Sequence, residues 1–262
     1  MFIIGELING MYKEVGQAIQ NKDKSVIQRL AREQVKAGCA ALDLNCGPAS
    51  RNAASDMVWL VTSVQEVTDK TLCLDSTKAN AIEEGLKVIK NKAIINSTSA
   101  DKEKLDILVP MAIKYKTSLI GLTLDKKGVP QDKDRRLELA AVIIADCQEK
   151  GFALDELYID PVVLPVNVAQ VQLEDILKSL AELKIISQPP PKTVVGLSNV
   201  SQGTSQRSLV NRIFLVMAMA NGLDAAILDP LDKDLTDSLI TTELILNRQI
   251  YCDSFLEAYR KK

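Results

Sequence analysis

Acids and amides recur in this sequence where an apolar run stops: Glu6 and Asn9, Asp43 and Asn45, Asp75, Asn96, Asp125 after Thr123, Asp160, Asn199 after Ser198, and Asp229. The chain contains no histidine. That removes the side chain most used for proton transfer near neutral pH and for binding transition metals. Ser-His-Asp and Cys-His nucleophiles go with it, as does His-ligated zinc. Carboxylates, amides, hydroxyls and backbone are left to do the chemistry. A carboxylate accepts two parallel N–H bonds, and an Asn side chain donates and accepts at once. Alternating Asp and Asn therefore suits a flat heterocycle that displays donors and acceptors along its edge. A hard cation such as Mg²⁺ is another ligand that clustered acids take. Each residue also has a plain local role open to it. Asp75 before Ser76-Thr77 can cap a helix, Asp160 before Pro161 can start a turn, and Asn199 can hold a left-handed turn.

The elements that must position these residues alternate along the whole chain. Near-continuous apolar runs, expected as strands buried on both faces, cover residues 2–8, 41–45, 72–75, 93–96, 118–123, 157–160, 193–198 and 225–228. Amphipathic stretches lie between them. Val26, Ile27, Leu30, Ala31 and Val35 share one helical face, with Ser25 expected as N-cap, Gln28 at the capping-box position and Gly38 as the stop. Pro110 is expected to kink or restart its helix. Alternation of this kind predicts a parallel α/β sheet, and eight repeats predict a closed (β/α)₈ TIM barrel, one domain over residues 1–262. No GxGxxG follows the first strand and no Walker A sequence occurs. In such a barrel the C-terminal strand ends converge on one mouth. Scattered strand-end acids and amides then become a single site.

Composition excludes more than it assigns. With 32 basic and 34 acidic residues the net charge is −2, so no excess of cations is available to neutralise nucleic-acid phosphates. No apolar run approaches the roughly 18 residues of a membrane span. The opening Met1-Phe2-Ile3-Ile4-Gly5-Glu6 lacks the basic and apolar regions of a secretory signal. The five cysteines are odd in number and form no CxxC pair, which predicts neither a disulfide framework nor a bound metal. A reduced, cytoplasmic protein is expected.

Six segments taken together resemble a known family: Ile4-Gly5-Glu6-Leu7-Ile8-Asn9-Gly10, Leu42-Asp43-Leu44-Asn45, Leu74-Asp75-Ser76-Thr77, Ile95-Asn96-Ser97-Thr98, Tyr158-Ile159-Asp160-Pro161 and Gly196-Leu197-Ser198-Asn199-Val200-Ser201. From the first strand to Tyr251-Cys252-Asp253-Ser254-Phe255 the sequence is similar to the pterin-binding methyltransferases. Within that group it most resembles the methyltetrahydrofolate:corrinoid/iron–sulfur protein methyltransferases of the acetyl-CoA (Wood–Ljungdahl) pathway. The resemblance implies that Asp75, Asn96 and Asp160 hydrogen-bond a pterin ring, that Asn199 stands near its methylated N5, and that Gly196 and Ser198 wall the pocket. Gln202 and Arg207 fall beside it, with Arg207 placed for the anionic tail of folate. Leu7 departs from the family pattern, in which Arg is usual, and this puts a structural ion pair in doubt.

The resemblance also implies the chemistry. Methyltetrahydrofolate is the methyl donor, and Co(I) of a corrinoid (cobalamin-type) cofactor attacks the N5-methyl carbon in an SN2 displacement. A partner corrinoid/iron–sulfur protein supplies that corrinoid. Asn199 is expected to donate a hydrogen bond as the C–N bond breaks, assisted by a network that includes Asp75. A homodimer is also implied. Helix 208–221, with Ile213, Phe214, Val216, Met217 and Met219, is apolar enough to contribute, ordinary barrel packing being its other reading. Two rival functions stay in view, a dihydropteroate synthase-like enzyme and a non-catalytic folate-binding subunit. The first is expected to carry glycine-rich loops after the first two strands. Here those loops begin Asn9-Gly10-Met11-Tyr12-Lys13 and Asn45-Cys46-Gly47-Pro48.

Overall fold

Eight strands pair in chain order, all parallel: β1 (Phe2–Asn9), β2 (Ala41–Asn45), β3 (Thr71–Asp75), β4 (Ala93–Ser99), β5 (Ser118–Leu122), β6 (Leu157–Asp160), β7 (Lys192–Gly196) and β8 (Ala225–Leu228). β8 returns to pair with β1, so the sheet closes into a (β/α)₈ barrel. The computed structural model describes residues 1–48 and 50–260; Ala49, Lys261 and Lys262, which fall within the expected domain, lie outside the described residues. Helices α1 (Lys13–Asn21) and α2 (Lys24–Lys36) follow β1, and α3 (Ala53–Gln65), α4 (Ala79–Val88), α5 (Lys102–Tyr115) and α6 (Lys133–Glu149) follow β2 to β5. Beyond β6 come α7 (Val166–Ala169) and α8 (Leu173–Leu183). Helix α9 (Arg207–Ala220) follows β7, and α10 (Lys233–Ile245) and α11 (Phe255–Arg260) follow β8. No helix among the described residues is long and apolar enough to cross a membrane.

Side chains alternate across a strand, and the closed sheet sorts them into two cores. Outward-facing Ile3, Leu42, Leu72, Leu74, Ile95, Leu119, Ile159 and Val195 pack beneath the helices. Inward-facing Ile4, Ala41, Cys73, Ile94, Ile120, Tyr158, Val194 and Ala225 fill the barrel, small residues facing large ones so that the lumen is packed. At the N-terminal end a depression of about 330 Å³ is lined by Phe2, Tyr158, Lys92 and Lys192, with the Lys192 ammonium 5.2 Å from the Tyr158 ring centre.

Four local expectations change in the structure. The N-cap of α2 is Asp23, not Ser25: its carboxylate accepts from Ser25 N at 2.9 Å and from the Ser25 hydroxyl at 2.6 Å. Asp23 has the extended backbone a cap needs, and Ser25 already lies inside the helix. Gln28 reaches across to α3, donating to Ser63 O and Glu66, so it completes no capping box. Helix α5 runs unbroken through Pro110, which sits on the exposed face where water can solvate the carbonyl it leaves unpaired. Finally, β7 stops at Gly196, and Leu197–Asn199 form a 3₁₀ turn closed by Val200 N on Leu197 O at 3.1 Å. Ser198 and Asn199 therefore ride on a turn beyond the strand, not on the strand itself.

Candidate active site

The mouth follows from strand parity. Glu6, Asp43, Asp75, Asn96, Asp160 and Gly196 each stand two residues beyond a side chain that fills the lumen, namely Ile4, Ala41, Cys73, Ile94, Tyr158 and Val194. A period of two returns them to the inner face one layer nearer the C-terminal end. Register then makes neighbours of residues remote in sequence: Asn45 is level with Asp75, and Asp75 with Asn96. The lumen is thus apolar for one layer and largely polar at the next, where Leu122 on β5 and Ile227 on β8 remain apolar.

Most of these polar groups are engaged with one another. Asn45 donates to Asp75 at 2.6 Å while its own oxygen takes the Gly47 N–H at 2.7 Å. Asn96 donates to Asp43 at 3.1 Å, and Ser198 Oγ donates to Glu6 at 2.6 Å. Asp160 accepts the N–H of Val162 at 2.7 Å, with the N–H of Gly196 also acting on its carboxyl. Asn199 is exposed, its amide lying across Gly196. A Cβ built on that glycine would come within 2.9 Å of Asn199 Nδ2. Beside Asp75 a cleft of about 280 Å³ opens between the β2 and β3 loops, lined in part by Asn45, Cys46, Gly47 and Ser76.

Burial makes the carboxyls hold their protons. It lifts Asp160 to about 7 against the pull of its two backbone donors. Glu6 also rises to about 7, through burial first; Ser198 and Arg207 lower it and the Asp229 charge raises it. Asp43 is raised by burial and then by the charge of Asp75, and Asp75 is raised by burial against its bond from Asn45. Two carboxyls this close resist ionising together. Through Glu6 and Asp160 the mouth can both donate and accept hydrogen bonds near neutral pH.

Of the residues expected in the site, Asp75, Asn96, Asp160, Gly196, Ser198 and Asn199 do meet at this mouth. Gln202 and Arg207 lie on its exposed rim. The Arg207 guanidinium is turned onto Ser201 Oγ and Ser198 O, both at 3.2 Å, so it braces the turn that carries Asn199. Asn9 and Asp125 fill local roles instead: Asn9 takes the Met11 N–H, and Asp125 takes the Lys127 N–H and pairs with Arg135 at 2.7 Å. Glu6, Asp43 and Asn45, which sequence marks only as strand-end residues, complete the network. The signal that finds them is their parity with Ile4 and Ala41.

Together these features define a (β/α)₈ barrel whose C-terminal mouth presents protonatable acids and amides to a ligand. The chain belongs to the pterin binding enzyme family, whose family model matches residues 13–229. Over 265 residues it is 28% identical to a methylcorrinoid:tetrahydrofolate methyltransferase of Eubacterium limosum, spanning 100% of this chain and 97% of that protein. It is 25% identical over 240 residues to methionine synthase of Mycobacterium leprae, covering 87% of this chain but 20% of that longer protein. Among solved structures, dihydropteroate synthase from Coxiella burnetii in complex with pteroic acid superposes with a TM-score of 0.69 at 14% identity, over 93% of each chain. The Yersinia pestis enzyme with a pterine–sulfa conjugate gives 0.66 at 17% identity, over 95% of this chain and 94% of that one. At such identities these structures share the fold with this chain and carry no further inference.

Proposed function

We propose that this chain is a methyltransferase that moves a methyl group between N5 of tetrahydrofolate and a corrinoid carried by a partner protein. The observation that carries the reading is the convergence of Asp75, Asn96 and Asp160 on one inward-facing layer, with the Asn199 amide across Gly196 beside them. Whole-length likeness to the Eubacterium limosum protein supports it. The donor set suits a pterin: carboxylates accept the ring's N–H groups, and Asn96 serves its carbonyl and nitrogen edge. The corrinoid supplies the metal that holds the methyl group at one end of the transfer. Asn199 donates to N5 as the C–N bond breaks or forms. That bond strengthens as charge builds on nitrogen, so it acts on rate more than on binding.

The relative's name places the methyl group on the corrinoid and makes tetrahydrofolate the acceptor. The sequence resemblance implies the opposite order. One site serves both, because forward and reverse paths share a transition state, and the free energies of the two carriers set the direction. In its finer form, methyltetrahydrofolate is the donor, displacement at the methyl carbon is in line, and the partner is a corrinoid/iron–sulfur protein. The whole chain is then one pterin-binding unit of a homodimer. Leu209, Ile213 and Met217, spaced four apart and about half exposed on α9, suit such an interface, while Phe214 and Met219 are spent on barrel packing.

The test is stopped-flow absorbance with purified protein, methyltetrahydrofolate and free Co(I) cobalamin, and the reverse mixture of methylcobalamin and tetrahydrofolate. Enzyme-dependent transfer in at least one direction is expected. No transfer, with no pterin binding by calorimetry, refutes the reading. Formation of dihydropteroate from a pterin diphosphate and p-aminobenzoate would instead select the synthase alternative.

A further inference from the structure

The proposed reaction leaves one atom without a source: the proton that N5 gains as the methyl group departs. Asn199 can donate a hydrogen bond but has no proton to give up. Ser198, its neighbour on the turn, does, and Glu6 lies behind Ser198.

We propose that Glu6 is the proton store of this site, delivering through the Ser198 hydroxyl to the pterin nitrogen. The inference rests on the methyl-transfer reading above. Glu6 sits at the inner face of β1, mostly buried, with Ser198 Oγ 2.6 Å from its carboxyl. Ser198 is the residue before Asn199 on the same 3₁₀ turn. Arg207, from the first turn of α9, donates to Ser198 O and Ser201 Oγ and holds that turn against the carboxyl. The charged and titratable groups that face Glu6 are Asp229 beyond β8, Arg207 on α9, Asp43 on β2 and Tyr12 before α1. Burial and two carboxylates favour the protonated acid, while one guanidinium stands ready for the anion. The balance leaves it at about 7, where a general acid is most effective.

As the C–N5 bond breaks, its electron pair stays on N5 and the methyl carbon bonds to the metal of the partner's corrinoid. Ser198 passes its hydroxyl proton to N5 and takes one from Glu6, whose carboxylate then faces Arg207. Methylation of tetrahydrofolate runs the same path backwards and returns the proton to Glu6. Glu6 touches Ser198 rather than the pterin, so its signature is a pH profile.

The experiment compares methyl transfer to free Co(I) cobalamin from pH 5.5 to 8.5 (roughly centred on the best general-acid range) for wild type, Glu6→Gln and Ser198→Ala. Calorimetry supplies pterin affinity and proton uptake in buffers of different ionisation heat. In wild type kcat is expected to fall as pH rises through about 7. Both variants should lose about a hundredfold in kcat below that pH, with the inflection gone. An inflection due to Asp160 should persist in KM. A kcat profile in either variant that keeps the wild-type inflection overturns the relay. Should wild type bind pterin but transfer no methyl group in either direction, the methyl-transfer reading fails first and takes this inference with it. Ser198→Ala leaves the carboxyl in place, so it decides the matter even if Glu6→Gln fails to fold.

Discussion

Asp160 pits stability against function in a way that one substitution isolates. Its carboxyl lies fully buried at the end of β6, and burial lifts it from 3.8 to about 7, the N–H groups of Val162 and Gly196 pulling the other way. The folded protein therefore holds this proton more tightly than the unfolded chain does. Its stabilising contribution is complete below pH 3.8 and is lost as pH rises through about 7. At pH 8 the ionised carboxylate costs the fold about 4 kcal/mol, a sizeable part of the roughly 5–15 kcal/mol a domain commonly has. Asp160→Asn cannot ionise. Urea unfolding of the pterin-free protein at about pH 5 and about pH 8 should show a pH-dependent loss of stability smaller by about 2.5 kcal/mol in the variant. Any fixed offset from re-pairing the amide cancels in that difference. No neighbouring carboxylate is among the causes acting on Asp160, so Glu6, Asp43 and Asp75 contribute equally to both proteins. Identical pH dependence in the two would refute the argument. At about pH 8, where the wild-type carboxyl is ionised, the same variant should lose pterin affinity by about 1.5–3 kcal/mol, the usual worth of a hydrogen bond to a charged acceptor.

Asn199→Ala should lower kcat by about 10²–10³ while leaving pterin affinity nearly unchanged; equal losses in rate and affinity by single-turnover kinetics and calorimetry would sink the role given to the amide. Gly196→Ala puts a methyl group 2.9 Å from Asn199 Nδ2 at a backbone φ of −76° that alanine adopts freely. It should reproduce the Asn199→Ala rate defect with an unchanged melting temperature, and a wild-type rate would mean the amide does not need its place over β7. Arg136 is fully buried and donates to Pro161 O, Asp132 O and Gln172 Oε1, tying α6 to the turn that follows Asp160. Arg136→Met should cost about 3 kcal/mol or more by leaving those acceptors unpaired, and should weaken pterin binding as the turn loosens; chemical denaturation and calorimetry read both effects, and wild-type values would count against an anchoring role.

Much of this protein was legible in its sequence. Short apolar runs such as 157–160 and 225–228 read as buried parallel strands because they alternate with amphipathic helices, an arrangement with few solutions besides the barrel. The acid or amide at the end of a run also marks the mouth, because the next inward position is the first that water reaches. Local capping at Ser25 is ambiguous in sequence, because Asp23 two residues earlier competes for the same N–H groups. β7 ends two residues before the apolar pattern predicts, because Leu197 is as buried as a strand residue while serving in a turn.

By itself the sequence determined the fold class, the absence of histidine chemistry and the candidate set Asp75, Asn96, Asp160 and Asn199. Tertiary structure alone decided which strand-end groups face one another. Asp43 and Asp75 lie 32 positions apart in the chain, yet adjacent strands bring their charges close enough to suppress ionisation. Glu6 meets Ser198 across 192 positions because β8 closes on β1. Asn9 and Asp125 look like the others in sequence but are consumed by their own turns. The physical reason is one of range. Strand parity and capping act over a few residues and leave a trace in local sequence. Proton affinity depends on burial and on charges a few ångströms away, and those distances exist only once the sheet has closed.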